Sequence, residues 1–507
     1  MMPTPMPGPS ARAAGQPPQR PGPAGRPAGA APGAPGGKRA SRRATQVRRN
    51  AVVLAWLAAA GALTVGVLAG PLATWGPWLP LHALLLGGIG SAITTWSAHF
   101  ADTLLHRPAW GGAVLLDARL AVHSLGAIAV LTGITAGLAR LALAGAVAVL
   151  AQALLGVAAI AVQRRRAVAP RMGALALHYA VALTALAAGA LLGWLTSWAG
   201  EPGGLGGGGG ASARLVDALY IAHTTTMLLG FVGITVLGTL TVLWPTMLRT
   251  RMEPVAPRWA ARGLPVLVAG TVLAAASGAW LPLGALGVAV YLLGAASVLV
   301  PALRTARRVP PNSYATASTA AAVGWFLASV VLLGIGIVGA LADGGAAGSG
   351  ASAAAGAGHG AAAQAAAIRQ TIHGLRLPLA TGFALQVLIG ALSYLTPVML
   401  GGGPAATRAT NAILDRAASY RVTAANAGLL IALAPVLTTP VRLAGALLAG
   451  ALAALVPVGM ARCALELRRR GSGAGAPARG APGSHRPGKA PSRPAPAGAP
   501  TTGDHDD

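Results

Sequence analysis

Apolar blocks of roughly 18 or more residues, long enough to cross about 30 Å of hydrocarbon at about 1.5 Å per residue, recur through the middle of this chain with short polar breaks. The pattern predicts about twelve spanning helices. They are Ala51 to Gly70, Leu81 to Phe100, Ala121 to Leu138, Leu141 to Val162, Met172 to Leu195 and Ala218 to Leu243 in the first half. The second half gives Ala260 to Trp280, Gly284 to Leu303, Thr319 to Leu341, Ile372 to Leu395, Val422 to Thr439 and Leu443 to Met460. The fold class is therefore all-α, a polytopic membrane bundle over residues 51–462. Residues 1–50 and 463–507, rich in Pro, Gly, Ala and Arg, bury too little apolar surface to fold and are expected to be disordered tails.

Charge sets the orientation. Arg164, Arg165, Arg166 and Arg171 share one loop, Arg249, Arg251, Arg258 and Arg262 the next but one, then Arg304, Arg307 and Arg308, then Arg408, Arg416 and Arg421. The alternate loops hold isolated arginines such as Arg140, Arg214, Arg369 and Arg442. Lys and Arg concentrate in short cytoplasmic loops, so both termini are expected on the cytoplasmic side. The net charge of +27 thus belongs to a membrane topology and the partner is the lipid bilayer; no nucleic acid is expected. The Ala, Gly and Arg bias with only two lysines, Lys38 and Lys489, points to a GC-rich bacterial gene and a bacterial cytoplasmic membrane. Trp75, Trp78, Trp198 and Trp280 fall in the outer loops, where Gly203 to Gly210 and Gly344 to Ala363 read as flexible segments. The single cysteine, Cys463, excludes a disulfide framework, a Cys-based zinc site and a covalently attached c-type haem.

The chain repeats itself internally. The sixth span reads Gly230-Phe231, then Gly238, Leu240, Leu243, Pro245, Met247 and Leu248; the tenth reads Gly382-Phe383, then Gly390, Leu392, Leu395, Pro397, Met399 and Leu400, with every spacing conserved between them. A histidine precedes each block, His223 in one and His373 in the other, and the second span carries a weaker version with His82, Gly87, Gly88, Gly90, Leu104 and Leu105. Spans two, six and ten are four apart, so the unit is a four-helix group used three times, roughly 51–162, 172–303 and 319–460, in a pseudo-threefold arrangement.

Ionisable residues within a bilayer are costly and count as functional candidates. His82, His223 and His373 enter equivalent helices from the outer face, where neutral imidazoles could ligate a metal or could simply hydrogen-bond between helices. Arg376, one turn beyond His373, either meets an anion such as a haem propionate or extends to the outer surface. At the other end, His99, Asp102 and His106 share a helical face, with His123 at the inner end of the next span and His178 in the inner third of the fifth.

Taken together, twelve spans, a three-by-four repeat and histidines on spans two, six and ten resemble the catalytic subunit of haem-copper oxidases and nitric oxide reductases. Their divergent haem- and copper-associated relatives, such as the NnrS family, are more similar still. The resemblance covers about Ala51 to Met460. It implies that His82 is an axial ligand of a low-spin haem, that His223 binds copper and that His373 ligates haem. It also implies redox, nitrogen-oxide or copper handling, with electrons from a donor such as a cupredoxin-like copper protein. The family's histidine pairs on spans seven and ten have no counterpart, since Ala260 to Trp280 lacks histidine and Gly374-Leu375 follow His373, so the ligand set for oxygen reduction is incomplete. A transporter or permease, which would want paired intramembrane carboxylates or broken helices, and a cofactor-free scaffold are the alternatives.

Overall fold

The computed structural model describes residues 35–167, 170–200, 210–347, 353–401 and 403–473. Among them every regular element is helical. We number the helices in chain order: α1 Pro35–Leu68, α2 Trp78–Leu105, α3 Gly112–Thr135, α4 Ala139–Arg165, α5 Pro170–Ala199, α6 Ala213–Met247 and α7 Ala256–Ala275. There follow α8 Leu281–Arg308, α9 Tyr314–Ala347, α10 Ala353–Gly374, α11 Pro378–Leu400, α12 Gly403–Leu414, α13 Ala418–Leu433 and α14 Thr439–Gly473. Eleven of the described helices are long and apolar enough to cross a membrane. The remaining expected span, Val422 to Thr439, corresponds to α13, which has 16 residues and stops at Leu433. The residue ahead of a proline avoids the α region, and Ala434 accordingly turns extended (φ −72°, ψ 109°) before Pro435.

Three further expectations change. Residues 35–50 belong to α1 and are not a disordered tail, because the basic run has a partner: Arg49 Nε sits 2.6 Å from Asp117 Oδ1 and Arg48 Nη2 2.7 Å from Asp117 Oδ2, tying α1 to α3. Asn50, buried, extends the tie by accepting from Trp96 Nε1 at 3.2 Å. At the other end, α14 continues past residue 463 to Gly473, through Ala464-Leu465-Glu466, with Glu466 and Arg470 paired one turn apart at 2.8 Å. Within Gly344 to Ala363, α9 runs on to Ala347 and α10 begins at Ala353, because alanine-rich sequence favours helix over coil. The rest of both tails, most of Gly203 to Gly210 and residues 348–352 lie outside the described residues.

One departure from regular helix recurs on the repeat-bearing helices. A π-helical segment follows His82 at Ala83–Ile89, follows His223 at Thr226–Gly233 and follows His373 at Pro378–Leu385. Gly87, Gly230 and Gly382 fall inside the three segments, each the same number of residues ahead of Leu104, Met247 and Met399. Each glycine also faces a neighbouring helix at close range: a Cβ on Gly382 would lie 2.7 Å from the Trp325 ring of α9, one on Gly87 would overlap Trp56 of α1, and one on Gly230 would lie 2.9 Å from Ala185 of α5. Both tryptophans span their glycine and donate to a polar side chain beyond it, Trp56 Nε1 to Ser124 on α3 at 3.4 Å and Trp325 Nε1 to Asn426 on α13 at 2.6 Å.

A wide π turn releases carbonyls from the helical ladder, and an unpaired carbonyl in a bilayer must find another donor. Leu86 and Leu229, each the residue before the repeat glycine, are answered from other helices. His123 of α3 lies 2.9 Å from the Leu86 oxygen, and the Tyr291 hydroxyl of α8 donates to the Leu229 oxygen at 2.9 Å. Elsewhere the helices meet through small residues, as membrane helices do. On α13 and α14, a Cβ at Gly428 would stand 2.6 Å from the Gly445 oxygen; on α3 and α4, one at Gly145 would stand 2.6 Å from the Gly126 oxygen.

Candidate metal centre

His82 closes the short α-helical turn Trp78–His82 that opens α2, and His223 stands in the last α-helical turn of α6 before its π segment. The two rings face one another with centroids 6.4 Å apart and planes inclined by 9°. Each ring is held by the same device. His82 Nδ1 lies 2.9 Å from the Trp78 oxygen, and His223 Nδ1 lies 2.8 Å from the Gly189 oxygen on α5. A carbonyl can only accept, so both neutral imidazoles carry their proton on Nδ1 and present the Nε2 lone pair, which makes no hydrogen bond among the described residues. Trp78 covers His82 at 4.4 Å between ring centres. On the other side, Gly193 leaves room for His223: a Cβ there would lie 2.8 Å from Cε1.

The third candidate stands apart from this pair. His373, near the end of α10, packs edge-on against Tyr220 at 5.3 Å, one turn before His223 on α6. Arg376 donates from Nε to the His373 backbone oxygen at 3.1 Å, capping its own helix end. Arg369 binds Asp217 at 2.6 Å and lies over the Tyr220 ring at 5.1 Å. Among the described residues no three His, Cys, Asp or Glu side chains are grouped closely enough to hold a metal ion, so two of the three expected imidazoles meet and His373 is their neighbour.

The remaining membrane histidines divide by how their nitrogens are used. His123 does not sit beside His99, Asp102 and His106; it lies in the middle of α3 against the π segment of α2. Its Nε2 bonds the Leu86 oxygen and its Nδ1 meets Gln152 Nε2 at 3.0 Å, so both nitrogens are committed. Asp102 is occupied too, accepting from Ala109 N at 2.9 Å and Gln163 Nε2 at 2.7 Å, and His106 takes the left-handed conformation that ends α2 (φ 49°). His178 is fully buried against Gly238 with no hydrogen bond to either ring nitrogen. Sequence reading missed the supporting residues Gln152, Gly189, Gly193 and Tyr291, whose role depends on contacts between helices and leaves no local pattern. Beyond the π segments the bundle contains a cavity of ≈ 100 Å³ lined by apolar residues including Trp96, Phe100, Val232, Leu240 and Leu388, with no ionisable side chain other than the Tyr179 phenol. No protein-family model matches the chain, and a search of curated proteins finds no match.

Proposed function

We propose that this protein is a haem- or copper-binding membrane protein, built as twelve spans in three four-helix units with both termini cytoplasmic, and that the metal lies between His82 and His223. The observation that carries the reading is the pair itself: two near-parallel imidazoles 6.4 Å apart, each with Nδ1 committed to a carbonyl and Nε2 left over. Two imidazoles that ligate one ion from opposite sides, with metal–imidazole bonds of about 2.0–2.1 Å and about 1.1 Å more from nitrogen to ring centre, would have their centres roughly 6.3 Å apart. The donor set fits as well as the distance. Neutral imidazole suits copper and iron, and a ligating histidine ordinarily gives its other N–H to a carbonyl or carboxylate.

The three π segments support the three-unit architecture, since each follows a histidine of the repeat and contains the repeat glycine. Bound there, copper or haem iron would supply one-electron chemistry. His82 and His223 would hold the ion and Trp78 would shield one side of it. His373 and Arg376, at the neighbouring helix ends, fit the carboxylates of a haem or the approach of an anion, as the resemblance to haem-copper oxidases suggests. Electrons would come from a separate donor protein.

The test is an optical spectrum with metal analysis on protein purified in detergent from cells supplied with haem and copper. Wild type is expected to carry about one haem or copper per chain. His82→Ala and His223→Ala should each lose at least about tenfold of it, while His373→Ala should keep more than half. A colourless, metal-free wild-type protein would overturn the reading and leave transport or scaffolding.

A further inference from the structure

Arg119 carries a charge that the described structure does not balance. It lies two turns into α3, is 4 % exposed, and takes part in none of the five ion pairs among the described residues. Its Nε donates to the Gln152 oxygen at 3.0 Å, while Nη2 is buried without a partner. Gly156 on α4 makes room for this group, because a Cβ there would overlap Nη2. A guanidinium cannot shed its proton, so in a medium of low dielectric constant its cost is met only by a negative charge or by solvation.

Beside the guanidinium is a small cavity of ≈ 10 Å³, bounded by Arg119, Gly156, Gln163 and the first turn of α3 at Gly112, Leu115 and Leu116. That helix start is itself electropositive: α3 has 24 residues, its N-cap Gly111 provides no side-chain cap, and no acidic residue lies in its first turn. Helical side chains lean towards the helix N-terminus, which brings the guanidinium and the free end of α3 to the same space. We propose that this cavity is a binding site for one small monovalent anion of the halide class, held by Arg119 Nη2 and the uncapped start of α3. Its ≈ 10 Å³ matches a single small ion or water. Asp102, the carboxylate at this end of α2, is held by Gln163 Nε2 and Ala109 N and forms no ion pair with Arg119 among the described residues. Gln163 Oε1 is the one unpartnered side-chain acceptor on the wall among the described residues, and a neutral water could serve both it and Arg119 while leaving the charge uncompensated.

Thermal unfolding of the full-length protein in detergent separates the two occupants. At fixed ionic strength, replacing gluconate by chloride or bromide is expected to raise the unfolding temperature by several degrees, and Arg119→Met should abolish that response. Independently of whether the variant folds, wild type equilibrated with radiolabelled chloride should retain about one ion per chain, displaced by bromide and untouched by gluconate. Stability indifferent to the identity of the anion, with no retained chloride, would mean that the cavity holds only water and would overturn the proposal. Neither measurement depends on the loading of the histidine pair.

Discussion

His123 and the His82–His223 pair are chemically the same group in the same bundle, and they differ in one respect: how many ring nitrogens the protein uses. His123 bonds on both sides, to the Leu86 oxygen and to Gln152, and so has no lone pair to offer. His82 and His223 bond on one side only, and their free sides belong to rings that face each other. A buried imidazole with both nitrogens satisfied is a structural crosslink; one with a single fixed nitrogen keeps a lone pair that is oriented in advance for a ligand role. On the proposed reading, the state of the second nitrogen is a better guide to chemistry than position in a membrane helix.

Substituting the crosslink should have the largest effect on stability. His123→Ala removes a buried side chain and strands both the Leu86 oxygen and the Gln152 amide, a loss of about 2–4 kcal/mol. It should appear as a marked fall in unfolding temperature in detergent, with metal content per folded chain unchanged. If metal were lost while stability held, the two classes of histidine would have to be exchanged.

A smaller and more selective effect is expected from Gly193→Ala. The new Cβ would press on Cε1 of His223 at 2.8 Å and turn the ring away from His82. Metal occupancy is expected to drop about tenfold at nearly unchanged stability, by the sensitivity of metal sites to the groups that orient their ligands. Unaltered occupancy would detach the pair from metal binding.

Tyr291→Phe extends the comparison to α6, where a phenol does for Leu229 what His123 does for Leu86. Deleting the hydroxyl leaves one buried carbonyl without its donor and should cost about 1 kcal/mol. Chemical denaturation of wild type and variant would measure it, and a cost of zero would show that the π carbonyl needs no cap.

What the sequence determined alone follows from its one-dimensional patterns. Hydrophobic length established a polytopic helical bundle, because a bilayer admits little else from such a chain. The recurrence of Gly-Phe and Pro-x-Met-Leu pairs α6 with α11, and π segments occur on both and on α2, whose likeness in sequence is weaker. Tertiary structure decided the rest. Which histidines meet depends on helices far apart in sequence: His82 faces His223, 141 positions further along the chain, while His373, two residues further from its repeat glycine than His223 is from its own, turns to Tyr220. The length of α1 was likewise hidden, since the helix holding Arg48 and Arg49 needs Asp117 from α3 to neutralise it. A sequence lists donors and acceptors; only packing says which of them are already spoken for, and that residue-by-residue accounting of hydrogen bonds separates a binding imidazole from a structural one.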